Sequence, residues 1–340
     1  VGAATFKDDV SVSGNTRLLG TVTVGGAVSL ASSLSVGGVA NFANTVTIAG
    51  AVSLASTLSV GGASNFASTV TVVGAGTFKD DVSVSGNTRL LGTVTVGGAV
   101  SLASTLSVGG VANFADTVTV AGAVSLASTL SVGGASNFAS TVTVVGAAAF
   151  KSNVSVSGNV DIAGNVSVGG TLFAAGGITY DGNVSVSGNL AVGGNVSVGG
   201  TLSVTGAVSL ASTLSVGGAT NLLGTVTATG NTGFLGTVRV SGATSLEAAL
   251  NVTGAALFSS TVTIAGTAIF EGDVSVSGAV NIAGNTSVGG TFLATGKAEF
   301  EDDVSVSGNS NFGGTVTVGG AVSLASTLSV GGVANFASTV

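Results

Sequence analysis

Three pairs of adjacent aspartates, Asp8 with Asp9, Asp80 with Asp81 and Asp302 with Asp303, carry the most concentrated chemistry in this 340-residue chain. Paired carboxylates are hard oxygen donors, which makes each pair a candidate for a calcium ion. Lys7 and Lys79 lie beside two of the pairs, and the expectation is solvated corners that keep strand edges soluble. The rest of the composition argues against catalysis. With no histidine, the commonest general base and metal ligand is missing. With no cysteine, there is neither a thiolate metal site nor a disulfide framework. The chain is expected to be no enzyme, with no catalytic, cofactor-binding or metal-ligating residues.

A second pattern is spread more widely. Threonines flank a valine at Thr21 and Thr23, Thr45 and Thr47, Thr69 and Thr71, Thr93 and Thr95, Thr117 and Thr119, and Thr141 and Thr143. This spacing resembles the TxT ladders of ice-binding β-solenoids, which implies a flat face that meets an ordered ligand. Thr equally suits an exposed strand. The calcium-loaded β-rolls differ, because their GGxGxD pattern is missing here. Glycines are everywhere, but a phosphate loop needs a following helix, and the composition offers none.

These residues have to be positioned by short strands. From Ala4 the chain divides without insertion into hexads, ATFKDD, VSVSGN, TRLLGT, VTVGGA, VSLASS and onward. Position three is apolar from Phe6 through Phe336, weakest at Ala174, Ala228 and Ala294. All 7 basic and 14 acidic residues fall at positions two, four, five or six. An ionised group facing a dry core is costly, so positions one and three face inward and position two outward, the alternation of a strand. Positions four to six, rich in Gly and Asn, form the turn, where residues that tolerate positive φ are expected. Phe173, Leu257, Ile269 and Leu293 break the rule by standing at position two, and are a candidate contact strip for another chain.

A strand of three and a turn of three, repeated without slippage, predicts an all-β solenoid. VTVGGA and VSLAST also resemble the hexapeptide repeat of left-handed parallel β-helices. That resemblance implies a triangular coil of three hexads; many members of the family are acyltransferases with a catalytic histidine, which this chain lacks. A second period bears on the coil. Val12, Val24, Val36, Ile48, Val60 and Val72 take position three at one parity, and Leu18, Leu30, Phe42, Leu54, Phe66 and Phe78 at the other. Stacking like on like favours an even number of hexads, a 12-residue coil, although alternating layers also pack. The near-identical blocks 10–81 and 82–153 do not decide the point. At a strand spacing of about 4.8 Å, the chain would span roughly 135 Å in 12-residue coils, roughly 90 Å in 18-residue coils, and roughly 270 Å if three chains interwind.

The 57 glycines, absence of proline and dominance of Val, Ser, Thr and Ala argue for one repeat array over residues 1–340, read as a segment of a longer chain. A net charge of −7 from so few groups gives no basic face for nucleic acid. The mean hydropathy of +0.75 is high, yet polar residues and glycines interrupt every apolar run before it could cross a membrane as a helix, and no aromatic girdle marks a membrane barrel. So thin a charge also predicts self-association. VSVSGN, VTVGGA and LSVGG resemble the low-complexity shafts of marine phage and algal-virus tail fibres and some bacterial surface filaments. That resemblance implies a protease-resistant extracellular rod on a cell or virion surface, commonly a homotrimer, with a receptor-binding tip elsewhere. The expected function is a structural fibre shaft or filament subunit; the alternative is a binding solenoid, an adhesin or an ice-binding face.

Overall fold

The computed structural model describes residues 2–339. Every hexad folds as read: a three-residue strand, then a three-residue corner, from Ala4–Phe6 to Ala334–Phe336, with no helix among the described residues. The chain divides into two compact units, Val1–Gly170 and Thr171–Val340. Within each unit strands pair in parallel with the third strand after them, as Val22–Val24 does with Ala40–Phe42 and Val184–Val186 with Leu202–Val204. Three consecutive hexads therefore make one coil, and the strands of a unit stack into three parallel faces.

In the first unit, face one begins with Ala4–Phe6 and Val22–Val24, face two with Val10–Val12 and Val28–Leu30, and face three with Thr16–Leu18 and Leu34–Val36. One chain supplies all three sides of each coil, without interwinding. Backbone hydrogen bonds run from coil to coil at the corners as well as in the strands; the Val73 amide donates to the Leu54 carbonyl and the Leu91 amide to the Val72 carbonyl, both at 2.9 Å. Few backbone groups are thus left to water, which lets an apolar, thinly charged chain remain folded without helices.

Burial follows the hexad. Positions one and three are buried and position two faces out over nearly the whole chain, as in Leu106–Val108, where Val108 is 1% exposed and Ser107 lies at the surface. The expectation of a 12-residue coil is overturned by the three-hexad register. An odd number of hexads turns the parity of position three into alternation up each face: Val60 lies between Phe42 and Phe78, and Leu54 between Val36 and Val72. Rings stacked directly at strand spacing would crowd one another, whereas large over small interdigitates.

Volume is also balanced within the strand. Where position three is Phe, position one is usually small, as in Ala40–Phe42, Ser64–Phe66 and Gly76–Phe78. A Cβ on Gly76 would lie 3.3 Å from the Phe78 ring and from a Leu90 methyl. Where Phe takes position one instead, at Phe292, position three shrinks to Ala294. The same need for small residues places Ser64 and Ser136 inside beside Phe66 and Phe138, with hydroxyls that are buried and have no hydrogen-bond partner; the hydroxyls of Thr88 and Thr244, beside Leu90 and Leu246, are buried in the same way.

Candidate functional site

The corners hold the residues singled out for chemistry. Position six supplies a brace between coils: the Asp9 carboxylate accepts the Ala27 amide at 2.7 Å, Asp81 that of Ala99 at 2.7 Å and Asp303 that of Ala321 at 2.6 Å. Asn15 accepts the Ser33 hydroxyl at 2.8 Å, and Asn87 that of Thr105 at 2.9 Å. Each bond reaches one coil on, so the second aspartate of each pair, read as a solvated corner residue, also ties successive coils together. Asp80 turns back on the chain, accepting the Asp81 amide at 3.0 Å. Among the described residues no three acidic side chains come together.

Glycine at the corners has a different reason from the one expected. No described residue, glycine included, has positive φ. What requires glycine is the coil beneath: a Cβ on Gly110 would stand 2.6 Å from the carbonyl carbon of Gly92. The corner backbones of successive coils approach too closely for a methyl group there.

The threonine ladder disperses. Its pairs recur every four hexads on a coil of three, so the ladder advances one face at each step: Thr23 and Thr95 lie on face one, Thr47 and Thr119 on face two, and Thr71 and Thr143 on face three. Along a face each threonine is followed by other residues, as Thr95 is by Asn113 and Thr119 by Asn137. No face presents the regular two-rank threonine array that the spacing suggested.

The outward apolar residues do not make one strip either. In the second unit, Leu257 and Leu293 share a face, separated by Ser275 and flanked by Arg239 and Asn311. Phe173, paired with Ala191, and Ile269, between Asn251 and Ser287, stand on the other two faces. Lys297 pairs with Glu299 near this region. No protein-family model matches the chain, and no curated protein or solved structure is significantly similar to it.

The hexad reading missed a sorting at position four. In the first unit the corner after face one carries Lys7, Lys79 and Lys151 among Gly and Ala, and the corner after face two carries only Ser and Ala. The corner after face three carries Leu19, Val73, Leu91 and Val145, between 47% and 61% exposed. In the second unit exposed Leu223 and Leu235 stand on two different corners. Since each block of twelve hexads is four coils of three, the block repeat returns its side chains to the same corner.

Proposed function

We propose that this chain is a structural shaft or filament subunit, a rigid non-catalytic β-rod exposed on a cell or virion surface. The observation that carries the reading is the unbroken hexad pattern: hexads from Ala4 to Phe336 take one conformation, a strand of three and a corner of three, with no loop inserted at any corner. Enzymes and receptors in repeat folds place their chemistry on such insertions. Here the corners spend their polar groups on the neighbouring coil, as Asp9 and Asn87 do. The outward rows are mostly short Ser, Thr and Asn side chains, which suit a passive surface. Repeats stabilised by their neighbours fit a rod that withstands proteases, because every backbone segment is held from both sides. Self-association, as a bundle or filament, would cover the apolar corner residues of a chain with so little charge.

Electron microscopy of the purified chain with mass-per-length measurement tests this reading. One chain wound as here, with a mass of 31.6 kDa over its 340 residues, gives about 3.5 kDa per nm at strand spacing, and a bundle gives whole multiples. Slender particles at such values, resistant to a nonspecific protease, are expected. Globular particles, or rapid digestion throughout the chain, would overturn it.

A further inference from the structure

We propose that the corner after face three of the first unit is a zipper that takes a second copy of this chain. Read up the corner, position four runs Leu19, Gly37, Ala55, Val73, Leu91, Gly109, Ala127, Val145 and Ala163, all exposed. The stacking is fixed by the backbone, since the amides of Val73, Leu91 and Val145 each donate to the carbonyl of the strand below at 2.9 Å. The row is thus a ridge with two large side chains, Val73 and Leu91, followed by a gap at Gly109 and Ala127, then Val145. The gaps are built in: a Cβ on Gly37 would lie 2.8 Å from the Leu19 carbonyl oxygen, and one on Gly109 2.7 Å from that of Leu91.

Such a row fits itself. The pattern of knobs and gaps repeats every four coils, about 19 Å at strand spacing, and a partner must match that period to seat its own knobs. A second copy does so when laid antiparallel about a two-fold axis. Val73 then faces Ala127 of the copy, Leu91 faces Gly109, and Val145 faces Ala55, each pair made twice as a closed isologous contact requires. The ridge itself bears no charge, the nearest along face three being Arg17, Arg89 and Asp161, so like charges do not meet at its centre. Lysines at the same hexad position are confined to another corner. A strip about 40 Å long and about 10 Å wide buries on the order of 800 Å² in total, the size of a weak contact. Association is therefore read at high concentration.

This inference rests on the self-association included in the proposed function and names the surface for it. The experiment is sedimentation of the full chain over a concentration series up to about the millimolar range, which a weak contact demands. Four samples are compared: wild type, Leu91→Asp with Val145→Asp, Ala127→Leu, and a control, Ala103→Asp, on the corner after face two. The expected result is a concentration-dependent dimer or larger assembly that both ridge variants weaken by at least about tenfold and the control does not, with the circular dichroism of all four alike. Ala127→Leu is decisive because it adds apolar surface: a nonspecific hydrophobic contact would strengthen, whereas a zipper with its gap filled would weaken. Association unchanged in the ridge variants would overturn the zipper and leave self-association standing. A wild type that stays monomeric throughout would overturn both, and flotation of that monomer with neutral phosphatidylcholine vesicles would assign the ridge to lipid.

Discussion

Replacing Gly110 by alanine sets two ordinary effects against each other, and the sign of the outcome tests the close approach of the coils. Gly110 has no positive φ, so alanine can adopt its backbone conformation, and the loss of unfolded-state freedom alone would stabilise the protein by about 0.4–1 kcal/mol. Against this, the new Cβ would lie 2.6 Å from the Gly92 carbonyl carbon and 2.7 Å from the Gly92 oxygen and the Thr93 nitrogen. These are backbone atoms held in the ladder, so no side chain can swing aside. Relief means opening the corner by several tenths of an ångström, an overpacking cost of about 1–3 kcal/mol. The net expectation is destabilisation by about 1–2 kcal/mol, a fall of roughly 2–8 °C in the melting of a unit this size. Ser56→Ala is the matched control at the same hexad position and on the same corner; it adds no atom, and Ser56 lies between Gly38 and Gly74 in the stack. Thermal melts followed by circular dichroism, with amide exchange at Gly92 and Thr93 to localise the effect, give the answer. A Gly110→Ala protein as stable as wild type or more so would refute the steric account of the corner glycines.

Three further outcomes follow from the core. Val108→Asp, at a site 1% exposed, should cost several kcal/mol, whereas Ser107→Asp, facing out, should change the melt little; equal effects would mean the inward and outward faces are wrongly assigned. Ser64→Ala should stabilise by about 1 kcal/mol, because it removes a buried hydroxyl that has no partner; destabilisation in the melt would show that the hydroxyl is satisfied. Tyr180 is 2% exposed, and burial pushes its phenol above the usual range, so the folded state favours the neutral form. Its contribution should be intact below pH about 10 and fall as the pH rises beyond that, where the unfolded chain ionises first. Alkaline melts that lose this slope in Tyr180→Phe are the expected result, and an unchanged slope the contrary one.

The inward and outward faces were legible in the sequence because charge placement reports them directly: an ionised group cannot sit at position one or three, and none does. The coil is not given by the parity of position three, which suggests like stacking on like, whereas the packed core places Val60 between Phe42 and Phe78. A better signal was present at position five. Ser32, Asn44, Ser56, Ser68 and Asp80 succeed one another at every second hexad and would collide in a coil of two hexads, yet each has glycine three hexads before and three hexads after. The corner chemistry could be read only once the coil was known. Leu19 and Val73 are nine hexads apart, a whole number of three-hexad coils but not of two-hexad ones, so the ridge exists only in the correct winding. The braces from Asp9 and Asp81 were hidden for the same reason, their partners Ala27 and Ala99 lying one coil ahead.

The central claim, that one chain closes each coil in three hexads, is tested most directly by engineered disulfides. The chain has no cysteine of its own, and Ser107 and Ser125 are register partners on the outside of face three, at the strand spacing of about 4.8 Å that a disulfide can bridge. Ser107→Cys with Ser125→Cys should oxidise to a cross-link within one chain, whereas Ser107→Cys with Thr119→Cys, whose second site pairs with Ser101 and Asn137 on another face, should not. Cross-linking of the 107 and 119 pair in preference would contradict the three-hexad coil, and cross-links formed between chains by the 107 and 125 pair would contradict a coil closed by a single chain.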